Sequence, residues 1–202
     1  MNNLDQDMDN LKKKYREIFL ETGEYLSQKM AEMSQVEFCE FLDTKVAKEI
    51  YAKHVEILES RNKFSCARCA ACCKFACSEF SYEELNKKAK AGDNFASQFI
   101  SVFVPYEKEE DARMVYPEYF ELLKNKVPDN EGVYFYHCPK VTEDGLCPEY
   151  ETRPQICRDF PDNPIGLLPK TCGYIAWKKE VETAALKLQS LLEIVDFYKK
   201  KM

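Results

Sequence analysis

The chain has 202 residues, a hydrophobic fraction of 45% and an aromatic fraction of 13%, enough for a sizeable domain with a core of its own. Its net charge of −6 argues against nucleic acid as a partner, because counterion release needs a cationic face. The one basic cluster, Lys199-Lys200-Lys201, falls at the end of an expected helix, where it complements the helix dipole.

The segment Met1 to Asp9 is acidic and polar, with no apolar signal-peptide core. No apolar run approaches the ~20 residues of a membrane span, so a cytoplasmic address without membrane contact is expected. Residues 4–30 carry apolar positions at Leu4, Met8, Leu11, Tyr15, Ile18, Phe19, Leu26 and Met30, the alternating three-and-four spacing of an amphipathic helix. Residues 35–60 predict a second helix, with the stripe Val36, Cys39, Leu42, Val46, Ile50, His54 and Ile57. The short polar link between them fits a helical hairpin. This hairpin, residues 1–62, is the candidate surface for a protein partner.

Ser81 and Glu84 form a capping-box pattern that starts a helix at Tyr82. That helix should stop near Gly92, and Asp93 or Asn94 can cap another running to about Phe103. Residues 108–125 read as helical, with Pro117 starting or kinking a segment. Val133-Tyr134-Phe135-Tyr136 is the strand candidate and Glu143-Asp144-Gly145 a turn, giving a minor β-hairpin near Val133 to Cys147. Pro154 fits the first turn of a short helix carrying Ile156 and Cys157, and a proline-rich loop follows. A long helix is expected from Ile175 to Lys200, with Val181, Ala185, Leu188, Leu192, Val195 and Tyr198 on one face. The fold class is therefore mainly α with a minor β-hairpin, its helices set around an irregular cysteine-rich metal centre. Residues 63–174 form the metal-binding domain, and residues 175–202 a helix packed on it.

Ten cysteines in a reducing compartment point to metal or redox chemistry rather than disulfides. Adjacent Cys72 and Cys73 cannot bridge each other without strain. Closely spaced cysteines let one loop wrap several sulfurs around one ion, and thiolates suit zinc and iron, including iron–sulfur clusters. The first block holds Cys66, Cys69, Cys72 and Cys73; the second set is Cys138, Cys147 and Cys157, with Cys172 behind them. Four plus four would fill two tetrahedral four-thiolate sites, or one cluster and one mononuclear site. Cys39 and His54 read as core residues of the second helix. Cys77 is a reserve ligand. His137 adjoins Cys138 on a strand, where neighbours point to opposite faces, so both do not readily face one ion.

The blocks FSCARCAACC and CPKVTEDGLCPEYETRPQICRDFP, with the later Cys172, resemble the zinc- or iron-chelating CxxCxxCC (YkgJ-like) cysteine-cluster family over about residues 64–174. The resemblance implicates all eight of those cysteines and marks Tyr150, Arg153, Pro154 and Arg158. Ala70 stands where the family usually has glycine, which would strain the loop if a positive φ is needed there. Arg153 and Arg158 bracket Cys157 and are the candidates to hydrogen-bond its anionic sulfur surroundings.

There is no HExxH motif and no glycine-rich phosphate loop, so no catalytic residue is assigned. The leading expectation is a metal-binding protein whose centre organises the fold and can carry redox function. The alternatives are an iron–sulfur enzyme, such as a protein-modifying activity dependent on S-adenosylmethionine, and a zinc-stapled helical interaction module.

Overall fold

The computed structural model describes residues 3–126 and 132–201. The chain opens with α1 (Asn3–Glu32), α2 (Gln35–Phe41) and α3 (Ala47–Ser60), then α4 (Ala71–Lys74) and β1 (Ala76–Ser78). Next come α5 (Tyr82–Lys90), α6 (Asn94–Val102), β2 (Val104–Pro105), α7 (Glu109–Val115) and α8 (Pro117–Lys126). After β3 (Tyr134–His137) follow the short α9 (Gln155–Asp159) and the long α10 (Ile175–Lys201). The architecture is mainly α with one small antiparallel sheet. Two compact units share it: Met1–Ser65 with Asp162–Leu168 and Gly173–Met202, and Cys66–Pro161 with Pro169–Cys172.

In the first unit α10 packs against both α1 and α3. Leu26, Phe38, Leu42, Val46, Leu191, Ile194, Val195 and Tyr198 form one core cluster, and Ile57, Trp177, Ala185 and Leu188 another. The buried Trp177 indole donates to the Ile57 carbonyl (3.2 Å) and the Ser60 hydroxyl (3.0 Å), so its single N–H is satisfied. Ser34 and Glu37 make a capping box that opens α2 at Gln35.

Five residues of the expected stripes face solvent: Phe19, Met30, Val36, His54 and Leu192. Val36 is 77% exposed because it lies in the first turn after this cap, and Phe38 takes the buried place. Cys39 is half-buried beside Phe38, and His54 is exposed rather than part of the core. On α10, Leu191 is buried while Leu192 is exposed. The buried run Phe38, Leu42, Val46 advances by four each time, which would drift around a 3.6-residue helix. A π-turn at Leu42–Val46, closed by the Ala47 N–H on the Leu42 carbonyl, absorbs that drift and keeps the stripe facing α10.

In the second unit the Ser81–Glu84 capping box and the Asp93 cap form as the sequence predicts, with the Ala96 N–H 2.9 Å from Asp93 Oδ1. Gly92, at φ +93°, turns the chain between α5 and α6. Pro117 opens α8. The predicted strand is the middle of a three-stranded antiparallel sheet in the order β1-β3-β2. Its neighbours come from upstream: Ala76 pairs with Tyr136, and Val104 with His137.

Strand alternation gives β3 two buried faces. Tyr136 packs edge-on to Phe99 (5.0 Å) in the α5–α6 cluster and donates to the Phe80 carbonyl at 2.7 Å. Phe135 stacks on Phe120 (4.6 Å) in the α7–α8 cluster. Each such aromatic contributes about 1.5–3 kcal/mol on burial. This clamp fixes the end of β3, where Cys138 follows.

Candidate metal centre

The first cysteine block is an irregular loop ending in one helical turn. The Cys73 and Lys74 N–H groups both donate to the Ala70 carbonyl, at 3.0 and 2.9 Å. Ala70 opens that turn at φ +57°, ψ 3°, and Arg68 also has a positive φ of 55°. The left-handed conformation is the one a glycine would adopt without cost. Here alanine adopts it, with its Cβ facing Gly145 of the second cysteine segment. The Arg68 N–H points back at Cys66 Sγ (3.3 Å), an amide-to-sulfur hydrogen bond within the first block.

The second segment arrives from β3. The Cys138 N–H donates to the Cys73 carbonyl at 2.7 Å, joining the two blocks through their backbones. Cys138 lies on the Tyr136 face of the strand and packs in one cluster with Cys73 and Cys157. His137 points the other way and packs, tilted by 39°, against the Tyr106 ring at 4.6 Å. The loop from Cys138 to Cys147 is closed by the Thr142 N–H on the Leu146 carbonyl and turns at Gly145, φ +75°. Cys157 sits on α9, whose Ile156 N–H is accepted by Gln98 Oε1 (3.0 Å) reaching over from α6. Cys172 is buried in the turn Pro169–Cys172, which belongs to this unit although its flanking residues belong to the other.

One tyrosine clasps the two segments. Tyr150 lies under Arg68 from the first block (3.9 Å to the ring centroid) and under Arg153 (3.8 Å). Two guanidinium groups that close to one centroid need opposite faces of the ring. Arg153 also donates from Nε to the Tyr150 carbonyl at 2.9 Å, and the exposed Arg158 donates from Nε to the Arg153 carbonyl at 2.7 Å. The Arg68–Glu151 pair (3.5 Å) is largely exposed and adds little.

The sulfurs sense one another. Cys72 donates its thiol proton to Cys73; that bond, helped by Arg153 and Lys74, holds Cys73 down to about 7 against its burial. Cys72 is pushed up by the same bond, by burial, and by Cys73, Cys66 and Cys69. Burial, then Cys73 and Cys138, raise Cys157 to about 11, with Arg153 opposing. Burial raises Cys138, while the Lys140 and Val141 N–H groups on its sulfur oppose that shift. Tyr116, raised chiefly by its own burial, also feels Cys69 and Cys72. So many neighbouring thiols cannot ionise together without a cation among them. Among the described residues, no group of three or more His, Cys, Asp or Glu side chains is placed to hold a metal ion.

The remaining candidates stand apart. Cys77 is exposed on β1, opposite Phe135. Cys39 belongs to the first unit. Sequence reasoning missed Arg68, Tyr116 and Gln98. Arg68 was visible inside the first block, but its ring partner lies in a distant segment. Nothing in the sequence singled out Tyr116 or Gln98.

A family model, CxxCxxCC, described as “Putative zinc- or iron-chelating domain”, matches residues 65–173. That is more than half of the chain, and it spans every cysteine of both blocks and Cys172. The chain belongs to the CxxCxxCC family. No curated protein and no solved structure matches it. The resemblance read from the cysteine blocks is thereby shown, and a zinc- or iron-chelating cysteine-rich domain is the coarse assignment. The donor chemistry fits such a metal: borderline-to-soft thiolates, amide N–H groups aimed at sulfur, and a guanidinium beside the anionic cluster.

Proposed function

We propose that the second unit is a metal-holding centre in which Cys66, Cys69, Cys72, Cys73, Cys138, Cys147, Cys157 and Cys172 supply thiolates to zinc or iron. The observation that carries this reading is the backbone junction of the two blocks, Cys138 N–H on the Cys73 carbonyl, which packs Cys73, Cys138 and Cys157 together. A core cluster has no packing need for so many thiols. A soft or borderline cation does need them. Arg153 supplies positive charge beside Cys73 and Cys157, and Arg158 braces the carbonyl of Arg153. When bound, zinc would staple the loops and iron would add electron transfer. A reducing compartment, such as the cytoplasm, keeps the thiols available for this.

The deciding experiment is anaerobic purification followed by elemental analysis, acid-labile sulfide assay and an absorption spectrum. A colourless protein with stoichiometric zinc identifies a structural centre. Brown protein with iron and sulfide identifies a redox-capable cluster. A chain that carries neither metal, and takes up neither on anaerobic reconstitution, overturns the proposal.

A further inference from the structure

The apolar stripe of α1 is only partly covered along its first half. Thr22 and Leu26 are buried, but Leu4, Met8, Leu11, Tyr15 and Ile18 stay half-buried, and Phe19 and Leu20 are exposed. We infer that this half of α1 is an interface for a second copy of the chain, with the two helices antiparallel. The interface belongs to the first unit, which holds none of the proposed metal ligands, so it stands apart from the metal-holding reading.

Two observations carry it. The first is period. Leu4, Met8, Leu11, Tyr15 and Ile18 are spaced four, three, four and three, the heptad seam of helices that pack side by side. α10 takes part of that seam, and a second helix would cover the part left open.

The second is charge. The seam is flanked by Asp5 and Lys12 on one side and by Asp7 and Lys14 on the other, an acid and a base one heptad apart on each. Asp5 suits the first turn of the helix, but the macrodipole gives no reason for Lys12, Lys13, Lys14 and Arg16 well past that turn. Among the described residues, no ion pair occupies Asp5, Asp7, Lys12 or Lys14. About a two-fold axis between antiparallel helices, each flank meets the same flank of the other copy. Asp5 then faces Lys12 of the second copy and Asp7 faces Lys14, and the symmetry doubles both pairs. The same register sets Leu4 against Tyr15 and Met8 against Leu11. Parallel helices would match only Asp7 with Lys12. An antiparallel register one heptad further on would set Lys12 and Lys14 each against its own copy. The charge pattern therefore selects both orientation and register. Residues 4–15 span about 18 Å, so the dimer should be weak, reversible and sensitive to salt.

The test is sedimentation velocity of the full chain, kept reduced so that no disulfide links two copies, over rising protein concentration at low salt. The wild type should pass from monomer to dimer. Lys12→Glu with Lys14→Glu, and separately Asp5→Lys with Asp7→Lys, should each weaken dimerisation by about tenfold or more with helical circular dichroism unchanged. An equal mixture of the two double variants should dimerise again, because each supplies the charge the other has lost. A wild type that stays monomeric up to millimolar concentration overturns the proposal. So does dimerisation that both double variants retain, or a mixture that fails to recover. Lys14→Glu alone tests orientation: it should weaken the antiparallel dimer, and an unchanged dimer would mean parallel helices and overturn the assignment. If a variant loses helix, the wild type is measured in rising sodium chloride instead. Dissociation at constant helicity supports the charge-matched seam, and a dimer indifferent to salt refutes it.

Discussion

At the scale of single residues the strongest tension is at Ala70, held at φ +57° where the family pattern has glycine. A left-handed alanine costs about 1–2 kcal/mol, and glycine returns about 0.5–1 kcal/mol of that in chain entropy. Ala70→Gly should therefore stabilise the protein by about 0.5–1 kcal/mol in a thermal melt, with metal content unchanged. Melting at or below wild type would mean that the Ala70 Cβ contact near Gly145 outweighs the strain. The two arginines that bracket Cys157 have different tasks. Arg153 lends its charge to Cys73 and Cys157 and lies over the Tyr150 ring, while the Nε of Arg158 donates to the carbonyl of Arg153. Arg153→Ala should weaken metal retention about 10–100-fold in chelator competition, the usual loss for a partner of a ligand. Arg153→Lys should fall between, since ammonium keeps the charge but not the planar stack on Tyr150. Arg158→Ala should weaken retention less than Arg153→Ala. An equal or greater loss would show that Arg158 serves the sulfurs directly.

At the scale of elements, the capping boxes make a prediction that turns on pH. The Ser81 hydroxyl and N–H both donate to Glu84, and these bonds hold its carboxyl below the usual range. A depressed carboxylate contributes stability that is present above its unfolded pKa and lost as pH falls through the folded one. Glu84→Gln should therefore flatten the acid side of the melting-temperature profile, below the ordinary carboxylate range. Ser81→Ala should lower stability by about 0.5–2 kcal/mol at neutral pH. An unchanged acid limb in Glu84→Gln would assign that limb to other carboxylates. These local signals explain what could be read in advance. Caps, Gly92 and Pro117 act within a few residues, so the sequence places them correctly. The stripe of the second helix held at Leu42, Val46 and Ile57 and slipped to Phe38 at its start, where the Ser34 cap leaves Val36 in the exposed first turn. The π-turn between Leu42 and Val46 is a feature that a fixed 3.6-residue period cannot anticipate. The strand partners were equally hidden. Pairing of β3 with Ala76–Ser78 and Val104–Pro105 depends on long-range closure, and elements of three and two residues leave almost no periodicity to read. At the centre, cysteine spacing exposed the donors, but the clasp of Arg68 on Tyr150 joins residues that only the fold brings together.

At the scale of the whole molecule, the two units have different sources of stability, and metal removal should separate them. The first has three long helices and two apolar clusters anchored by Leu26, Phe38 and Trp177, with no member of the proposed ligand set among its residues. The second has apolar clusters around Tyr136 and Phe135. Its cysteine-bearing stretches, however, are loops with helical turns of four and five residues. Isolated helices shorter than about 12–15 residues are marginal in water, so these stretches need another source of order. Under the proposed function that source is metal, and binding is then coupled to local folding. Stripping the reduced chain with a chelator should leave α1, α3 and α10 protected in hydrogen exchange and keep most of the helical circular dichroism. Residues 66–74 and 138–158 should begin to exchange rapidly, with the Phe99–Tyr136 cluster protected to an intermediate degree. Global unfolding on stripping would show that the first unit's apolar clusters do not suffice. Unchanged exchange across both cysteine stretches would show that Arg68, Tyr150 and the backbone junction at Cys138 order them without metal, and would refute the coupling.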